Sequence, residues 1–214
     1  GEQQASTASA EKPIRLFLSY RVDADGDLVE RMFDKLRALN VDVWWDKACL
    51  KPGEPWEAGF ADGLLGSDVF VPFLSRAALA PFSKLKAGSR CDNVFLEYRL
   101  ALELKARGVL SRIFPVFIGE IEEVGSLGEG YGDFFRGGGM PAAPELWVKA
   151  VEAKVTEHLE RASQGITLLP KGQCTVKRTL GSICEHQGEF LRGAPRRDAM
   201  EKVVAALAAL GGKG

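Results

Sequence analysis

The sequence predicts an α/β protein with a doubly wound, five-stranded parallel sheet and a C-terminal helical extension. Short, nearly continuous apolar runs alternate with segments whose apolar residues recur at the helical period. Strands of this kind are buried on both faces, so helices must cover both sides of the sheet. The chain has 214 residues, of which 46% are hydrophobic, as expected for one globular domain with an appendage.

The first half of the chain alternates strand and helix behind a polar leader. Residues 1–12 are small and polar, and we expect this leader to be disordered. Leu28, Met32 and Leu36 recur at the helical period, whereas the prolines and glycine within 46–55 exclude regular structure there. The predicted elements are a strand at 14–20, a helix at 27–39, a strand at 41–45, a helix at 56–65 and a buried strand at 68–74.

The second half continues the alternation and ends in helices. A long glycine-rich loop at 119–141 separates an apolar strand from the helix that follows it. We expect one domain at 13–165, and at 166–214 the last strand with a helical extension that packs on the domain or follows it. The predicted elements are a helix at 91–104, a strand at 113–118, a helix at 145–161, a strand at 166–169 and helices at 175–187 and 198–210.

Composition excludes several classes of function. A formal net charge of −1 argues against a dedicated nucleic-acid binder, and no apolar run approaches the roughly 20 residues that span a bilayer. We therefore expect no nucleic-acid partner and no membrane partner. Four scattered cysteines suit a reducing, cytoplasmic location, and with two histidines they offer no zinc-binding pattern, so no metal site is expected. These residues are Cys49, Cys91, Cys174, Cys184, His158 and His186.

One carboxylate lies on the apolar side of the predicted helix at 91–104. Glu97 shares a helical face with Leu100, Ala101 and Leu104, which should pack inward. A charge placed there costs free energy unless it is paired or a cleft opens onto it. Two interpretations of Glu97 remain open: it forms an ion pair with Arg21 or Arg99, or its carboxylate faces a ligand. Ligands of such sheets bind beyond the carboxyl ends of the strands, where Tyr20, Asp46 and Ser75 lie.

Five motifs in order give the chain a resemblance to a known family, the TIR (Toll/interleukin-1 receptor) domain. The resemblance covers about 13–165 and implies a flavodoxin-like fold. Some TIR domains only assemble, whereas others cleave NAD⁺ at the nicotinamide–ribose bond with a glutamate in the helix that corresponds to 91–104. Glu97 holds that catalytic position here. The motifs are FLSYR at 17–21, VWWD at 43–46, LKPGEPW at 50–56, SDVFVPFLS at 67–75 and DNVFLE at 92–97.

A single carboxylate suffices for the chemistry that the resemblance implies. The nicotinamide of NAD⁺ is a cationic ring that leaves as a neutral one, so it needs no general acid, unlike an ordinary glycoside. The oxocarbenium-like transition state gains from one carboxylate beside the ribose. NAD⁺ is thus the expected substrate, with no cofactor. The product, ADP-ribose or cyclic ADP-ribose beside nicotinamide, stays open.

Supporting roles in substrate binding can be assigned by the positions of other residues. Arg21 is expected to meet ribose or phosphate oxygens, Trp56 or Tyr20 to wall the bound rings, and Asp46 to hydrogen-bond the loop or the ribose. An NAD-cleaving member of the family carries tryptophan one helical turn before the glutamate. This chain carries Asn93 at that position, which leaves Trp56 or Phe95 to supply the stacking surface.

Assembly is the second property that the resemblance implies. The loop corresponding to the family's BB loop packs on the next copy in a head-to-tail contact that extends into filaments. In this chain the loop residues are Pro52, Gly53 and Glu54. We expect an NAD⁺ nucleosidase, activated by self-assembly in immune or cell-death signalling. The alternative is a non-catalytic adaptor that recruits other TIR proteins. A phospho-accepting receiver is disfavoured, because the acidic pair after the first strand and the aspartate after the third are missing.

Overall fold

The computed structural model describes residues 13–50, 52–53, 56–123, 129–132, 141–193 and 195–211. Parallel strands form one central sheet in the order β2–β1–β3–β5–β8, and β4 also pairs with β3. A small antiparallel hairpin, β6–β7, stands apart from it. The strands are β1 Arg15–Ser19, β2 Asp42–Trp44, β3 Val69–Ser75, β4 Arg112–Ile113, β5 Val116–Ile118, β6 Ile121–Glu123, β7 Glu129–Tyr131 and β8 Glu189–Leu191.

Helices cover both faces of the sheet, as predicted. On one face α1 and α8 bury residues such as Met32 and Val203. On the other face α3, α5, α6 and α7 bury residues such as Phe60 and Tyr98. The helices are α1 Val22–Ala38, α2 Asp46–Cys49, α3 Trp56–Leu65, α4 Arg76–Leu79, α5 Asn93–Ala106, α6 Lys149–Arg161, α7 Val176–Cys184 and α8 Arg196–Gly211, with 3₁₀ turns at Ala80–Lys84 and Lys171–Gln173.

The predicted strand at 166–169 is wrong, and β8 takes the edge position beside β5 instead. Ile166 and Leu168 are 78% and 54% exposed, so this apolar run is not buried in a sheet. The backbone N–H groups of Leu168 and Leu169 donate to the buried carboxylate of Glu103, at 2.9 and 3.1 Å. The Glu103 side chain of α5 therefore accepts the hydrogen bonds that a neighbouring strand was expected to accept from this segment.

Other boundaries also differ from the prediction: α2 lies within 46–55, where no regular structure was expected, and α6 begins at Lys149 instead of 145. α1 begins at Val22 instead of 27, because the carbonyl of Arg21 accepts the first turn's N–H groups and acidic residues there suit the helix dipole. The predicted strand at 113–118 is split into β4 and β5 at Pro115, which has no N–H to donate. The loop predicted at 119–141 contains the β6–β7 hairpin, and its residues 124–128 and 133–140 lie outside the described part.

The C-terminal extension packs on the rest of the domain. β8 extends the sheet, α7 lies against α5, and α8 lies against α1. Both amphipathic helices predicted there are present, with bounds shifted by a few residues. In the part of the chain that the structure describes, no helix combines the length and apolar character needed to cross a membrane.

Candidate active site

A cleft of about 510 Å³ opens at the carboxyl ends of β1 and β2, between the N-terminal ends of α3 and α5. We call it the α5 cleft. It lies at the sheet edge where ligands of doubly wound folds bind. The structure brings together around it all six residues that the sequence assigned to catalysis and substrate binding. These are Tyr20, Arg21, Asp46, Trp56, Asn93 and Glu97.

The Glu97 carboxyl is held by a hydroxyl and not by a cation. Ser19, fully buried at the end of β1, donates its Oγ–H to Glu97 Oε2 over 2.5 Å. Arg21 pairs with Asp92 and Arg99 with Glu152, at 3.2 and 2.7 Å. Among the described residues, no lysine, arginine or histidine lies within ion-pair distance of Glu97. Glu97 therefore does not form the structural ion pair with Arg21 or Arg99 that the sequence left open.

The surroundings of Glu97 favour its protonated form. Part of the side chain reaches the cleft, but the protein removes most water from the carboxyl, and this desolvation raises its pKa to about 8. The negative charges of Asp46 and Asp92 raise the pKa further, whereas the Ser19 hydrogen bond and the Arg21 charge lower it. A cation that enters the cleft would stabilise the carboxylate and release this proton.

Tyr20 and Asp46 form a fixed polar wall opposite α5. The Tyr20 hydroxyl donates to Asp46 Oδ1 over 2.8 Å and accepts from Trp45 Nε1 over 3.0 Å. The backbone N–H of Lys47 donates to the same Asp46 oxygen at 2.8 Å. Burial and the hydrogen bond to Asp46 raise the pKa of Tyr20 well above its ordinary value. The phenol therefore stays protonated and orients the Asp46 carboxylate at the rim.

Arg21 ties the end of β1 to the start of α5. Its Nε donates to the Ala78 carbonyl at 2.9 Å, and its Nη2 lies 3.2 Å from both carboxylate oxygens of Asp92. Asp92 also caps α5 by accepting the Phe95 N–H at 3.0 Å. The guanidinium lies 5.2 Å from the centre of the Phe82 ring. Most of this arginine is thus committed to the protein, and its Nη1 has no acceptor among the described residues.

Trp56 supplies the aromatic surface of the α5 cleft. It is 37% exposed and stacks on Phe60, with ring centres 5.3 Å apart and planes at 21°. Phe95 is fully buried and packs against Phe82 in the core, so its proposed role as a substitute stacking partner is wrong. Asn93 is exposed one helical turn before Glu97. It can offer hydrogen bonds to a ligand but no ring.

The loop before α3 is described only in part. Pro52 and Gly53 are exposed, and Gly53 has φ of +87°, a conformation that other residues adopt only with strain. Nothing lies within 4 Å of where its Cβ would stand, so this glycine is required by the backbone and not by crowding. Glu54, assigned to assembly with them, lies outside the described residues.

Two residues of the site were not singled out from the sequence. Ser19 orients Glu97, and Asp92 both caps α5 and binds Arg21. The predicted helix at 91–104 contained Asp92, whereas α5 begins one residue later; aspartate is a common N-cap residue, so a start at Asn93 could have been inferred. Ser19 stood inside the FLSYR motif, but nothing local indicates that it meets a residue 78 positions away.

Comparison with known proteins supports the same family as the motifs. A family model described as TIR domain matches residues 16–145, more than half of the chain. The TIR domains in the structure of the activated Roq1 resistosome directly recognizing the pathogen effector XopQ are similar, at 14% sequence identity and a TM-score of 0.56. That match covers 91% of this chain and 99% of the other and shows the shared fold. No curated protein matches the chain. On the family match, the chain belongs to the TIR domain family.

Proposed function

We propose that this TIR domain is an NAD⁺ nucleosidase that cleaves the nicotinamide–ribose bond, with Glu97 as its catalytic residue. One observation carries the proposal. The Glu97 carboxyl, held by Ser19 and unpaired with any described cation, lines an open cleft at the ligand-binding edge of the sheet. An isolated buried acid lowers the stability of the fold. We therefore infer that this carboxyl binds a ligand that carries positive charge.

The proposed reaction requires one bond to break and one to form. The C–N bond between ribose and nicotinamide breaks, and its electron pair neutralises the pyridinium nitrogen. The positive charge moves to the ribose, where the Glu97 carboxylate stabilises the oxocarbenium character. Water then adds to the anomeric carbon and loses a proton, which gives ADP-ribose. If an adenine nitrogen of the same molecule adds instead, the product is cyclic ADP-ribose.

In this proposal, the other residues of the α5 cleft position the substrate. Trp56 gives an exposed ring against which the nicotinamide or ribose packs. Arg21 Nη1 and the amide of Asn93 offer donors to ribose or phosphate oxygens. Asp46, fixed by Tyr20, accepts a ribose hydroxyl. No cofactor takes part, since NAD⁺ is the substrate itself.

Self-association is proposed as the activating step, in a cytoplasmic protein of immune or cell-death signalling. The printed description of the Roq1 structure concerns an activated resistosome that recognizes a pathogen effector, and the fold of its TIR domains is similar. The exposed Pro52–Gly53 turn offers a surface for a head-to-tail contact between copies. Contacts of this type continue into filaments when the rotation between copies does not close.

A second candidate is a non-catalytic adaptor that binds other TIR domains. The exposed Pro52–Gly53 turn and the 37% exposed Trp56 favour it equally, because both suit a protein contact. The two candidates differ in one respect. An adaptor needs no carboxyl at Glu97, whereas the nucleosidase fails without it.

The test is nicotinamide release from NAD⁺ by concentrated protein, with and without a crowding agent that promotes assembly. We expect turnover from the unmodified chain and its loss in Glu97→Ala. Glu160→Ala is the matched control, because it removes an exposed glutamate from the surface helix α6. Undiminished turnover in Glu97→Ala would refute the catalytic assignment. Absence of turnover under every condition, together with TIR binding that depends on Gly53, would favour the adaptor.

A further inference from the structure

The described walls of the α5 cleft carry more acidic than basic side chains. They contain four acids against one base, Arg21. Arg21 lies 3.2 Å from Asp92, so these two charges offset each other. Among the residues that the structure describes, no lysine, arginine or histidine lies within ion-pair distance of the other three acids. These are Asp23, Asp46 and Glu97.

Two of these carboxylates lie at the rim of the cleft. Asp23 is exposed in the first turn of α1. Asp46 accepts hydrogen bonds from the Tyr20 hydroxyl and the Lys47 backbone N–H, both at 2.8 Å. Such hydrogen bonds orient a carboxylate but do not neutralise its charge. The negative charge that the described walls present to a ligand therefore does not depend on Glu97 alone.

The helix N-terminal ends around the cleft offer little to a phosphate. Such ends attract anions through free N–H groups and a partial positive charge. In front of α5, however, Asp92 already accepts the Phe95 N–H at 3.0 Å. Asp23 and Glu57 lie in the first turns of α1 and α3. Each of these helix dipoles is therefore offset by a carboxylate of the chain itself.

The aromatic wall of the cleft also favours a cation. Trp56 is 37% exposed, and the face of an indole ring attracts positive charge. A cationic ring that stacks on Trp56 gains from the indole and from the carboxylates around it. A phosphate gains from neither and is repelled by Asp23 and Asp46. The cleft thus suits the pyridinium ring and the uncharged ribose of NAD⁺ better than its phosphates.

We propose that the α5 cleft recognises the nicotinamide riboside half of its substrate, and that the domain therefore also cleaves free nicotinamide riboside. This inference rests on the proposed NAD⁺ cleavage and extends it to a substrate without phosphate. The C–N bond between ribose and ring breaks, and its electron pair stays on the ring nitrogen. Water adds to the anomeric carbon and loses a proton, so the products are nicotinamide, ribose and one proton. The phosphates and adenine of NAD⁺ lie outside the cleft.

Nicotinamide release from the two substrates tests the inference, with concentrated protein and a crowding agent in each reaction. We expect kcat/KM for nicotinamide riboside to lie within about tenfold of that for NAD⁺, because the missing half contributes little binding in the cleft. Added salt should lower kcat/KM for the riboside, whose net charge is positive. It should not lower kcat/KM for NAD⁺, whose phosphates make its net charge negative.

Reversal of one charge at the rim is the second test. Asp23→Lys should lower the ratio of kcat/KM for the riboside to that for NAD⁺ by at least about fivefold, since the substrates differ in the sign of their net charge. Asp23→Asn, which adds no cation to the helix end, should lower it by about twofold. Asp34→Lys is the matched control, because it makes the same charge change on an exposed residue of α1 about 16 Å further along, beyond the screening length. Its ratio should equal that of the unmodified chain.

The possible outcomes separate this inference from the proposed function. A kcat/KM for the riboside more than about tenfold below that for NAD⁺ overturns the inference and leaves NAD⁺ cleavage standing. Equal effects of Asp23→Lys on the two substrates overturn recognition by charge. Absence of turnover with either substrate overturns the proposed function and the inference together.

Discussion

The hydroxyl of Ser19 and the carboxyl of Glu97 meet at 2.5 Å, joining the end of β1 to α5. This bond fixes the direction of a carboxyl whose environment otherwise favours the proton. An isolated acid at this depth costs stability, so the fold holds it at an energetic disadvantage that a cationic ligand would relieve.

The pH dependence of stability should reveal that disadvantage. Glu97 titrates at about 8 in the folded chain against 4.5 for the ordinary side chain, so the folded state binds more protons between these values. Its contribution to stability is therefore present at low pH and lost as pH rises from about 5 to 8. Relative to Glu97→Gln, the unmodified chain should lose about 3 to 4 kcal/mol over this interval in urea unfolding. Asp25 is common to both chains and cancels. Parallel curves would show that Glu97 is not desolvated.

Catalysis should show the opposite trend with pH. If the carboxylate is the active form, kcat/KM for NAD⁺ should rise with pH through about 8, the pKa of the Glu97 carboxyl. Ser19→Ala removes a hydrogen bond that lowers this pKa, so its profile should shift to higher pH as well as fall in height. A profile of unchanged shape in Ser19→Ala would mean that Ser19 does not act through the ionisation of Glu97.

The buried charge network behind α5 should be essential for folding. Arg99 and Glu103 are fully buried, Arg99 pairs with Glu152 at 2.7 Å, and Glu103 also binds two backbone N–H groups of the segment after α6. Glu103→Ala leaves part of this network unpaired and should reduce the free energy of unfolding by about 3 to 5 kcal/mol. Glu160→Ala, at the surface, should change it by less than about 0.5 kcal/mol. Denaturant unfolding measures both, and similar losses would contradict the role of burial.

The turn at Gly53 should control assembly without affecting the core. Gly53→Ala places a side chain at φ of +87°, which costs about 1 kcal/mol in the native turn and favours another loop conformation. Gly88→Ala is the matched control, because it too faces open space but has no positive φ. Sedimentation velocity should show weaker self-association only for Gly53→Ala, at similar melting temperatures. Equal association of the two variants would exclude this turn from the contact.

The local pattern of apolar residues was sufficient to predict most of the helices and strands. The helix at 56–65 and the buried third strand follow from apolar periodicity, and the structure places them within a residue of the prediction. The pattern failed at 166–169, where a short apolar run satisfies its backbone through Glu103 of α5. It also missed the early start of α1, whose first turn combines apolar, acidic and glycine residues in a sequence typical of loops.

By itself, the sequence determined the alternation of strands and helices, the family, and the position of Glu97 on an inward helical face, since all three depend on residues close together in the chain. Only the tertiary structure decided that β8 borders β5, that Arg21 binds Asp92, and that Ser19 holds Glu97. These contacts join residues about 70 or more positions apart. They form because the order of the strands and the packing of the helices bring distant segments to one edge of the sheet. The periodicity of apolar residues in the sequence does not determine that order.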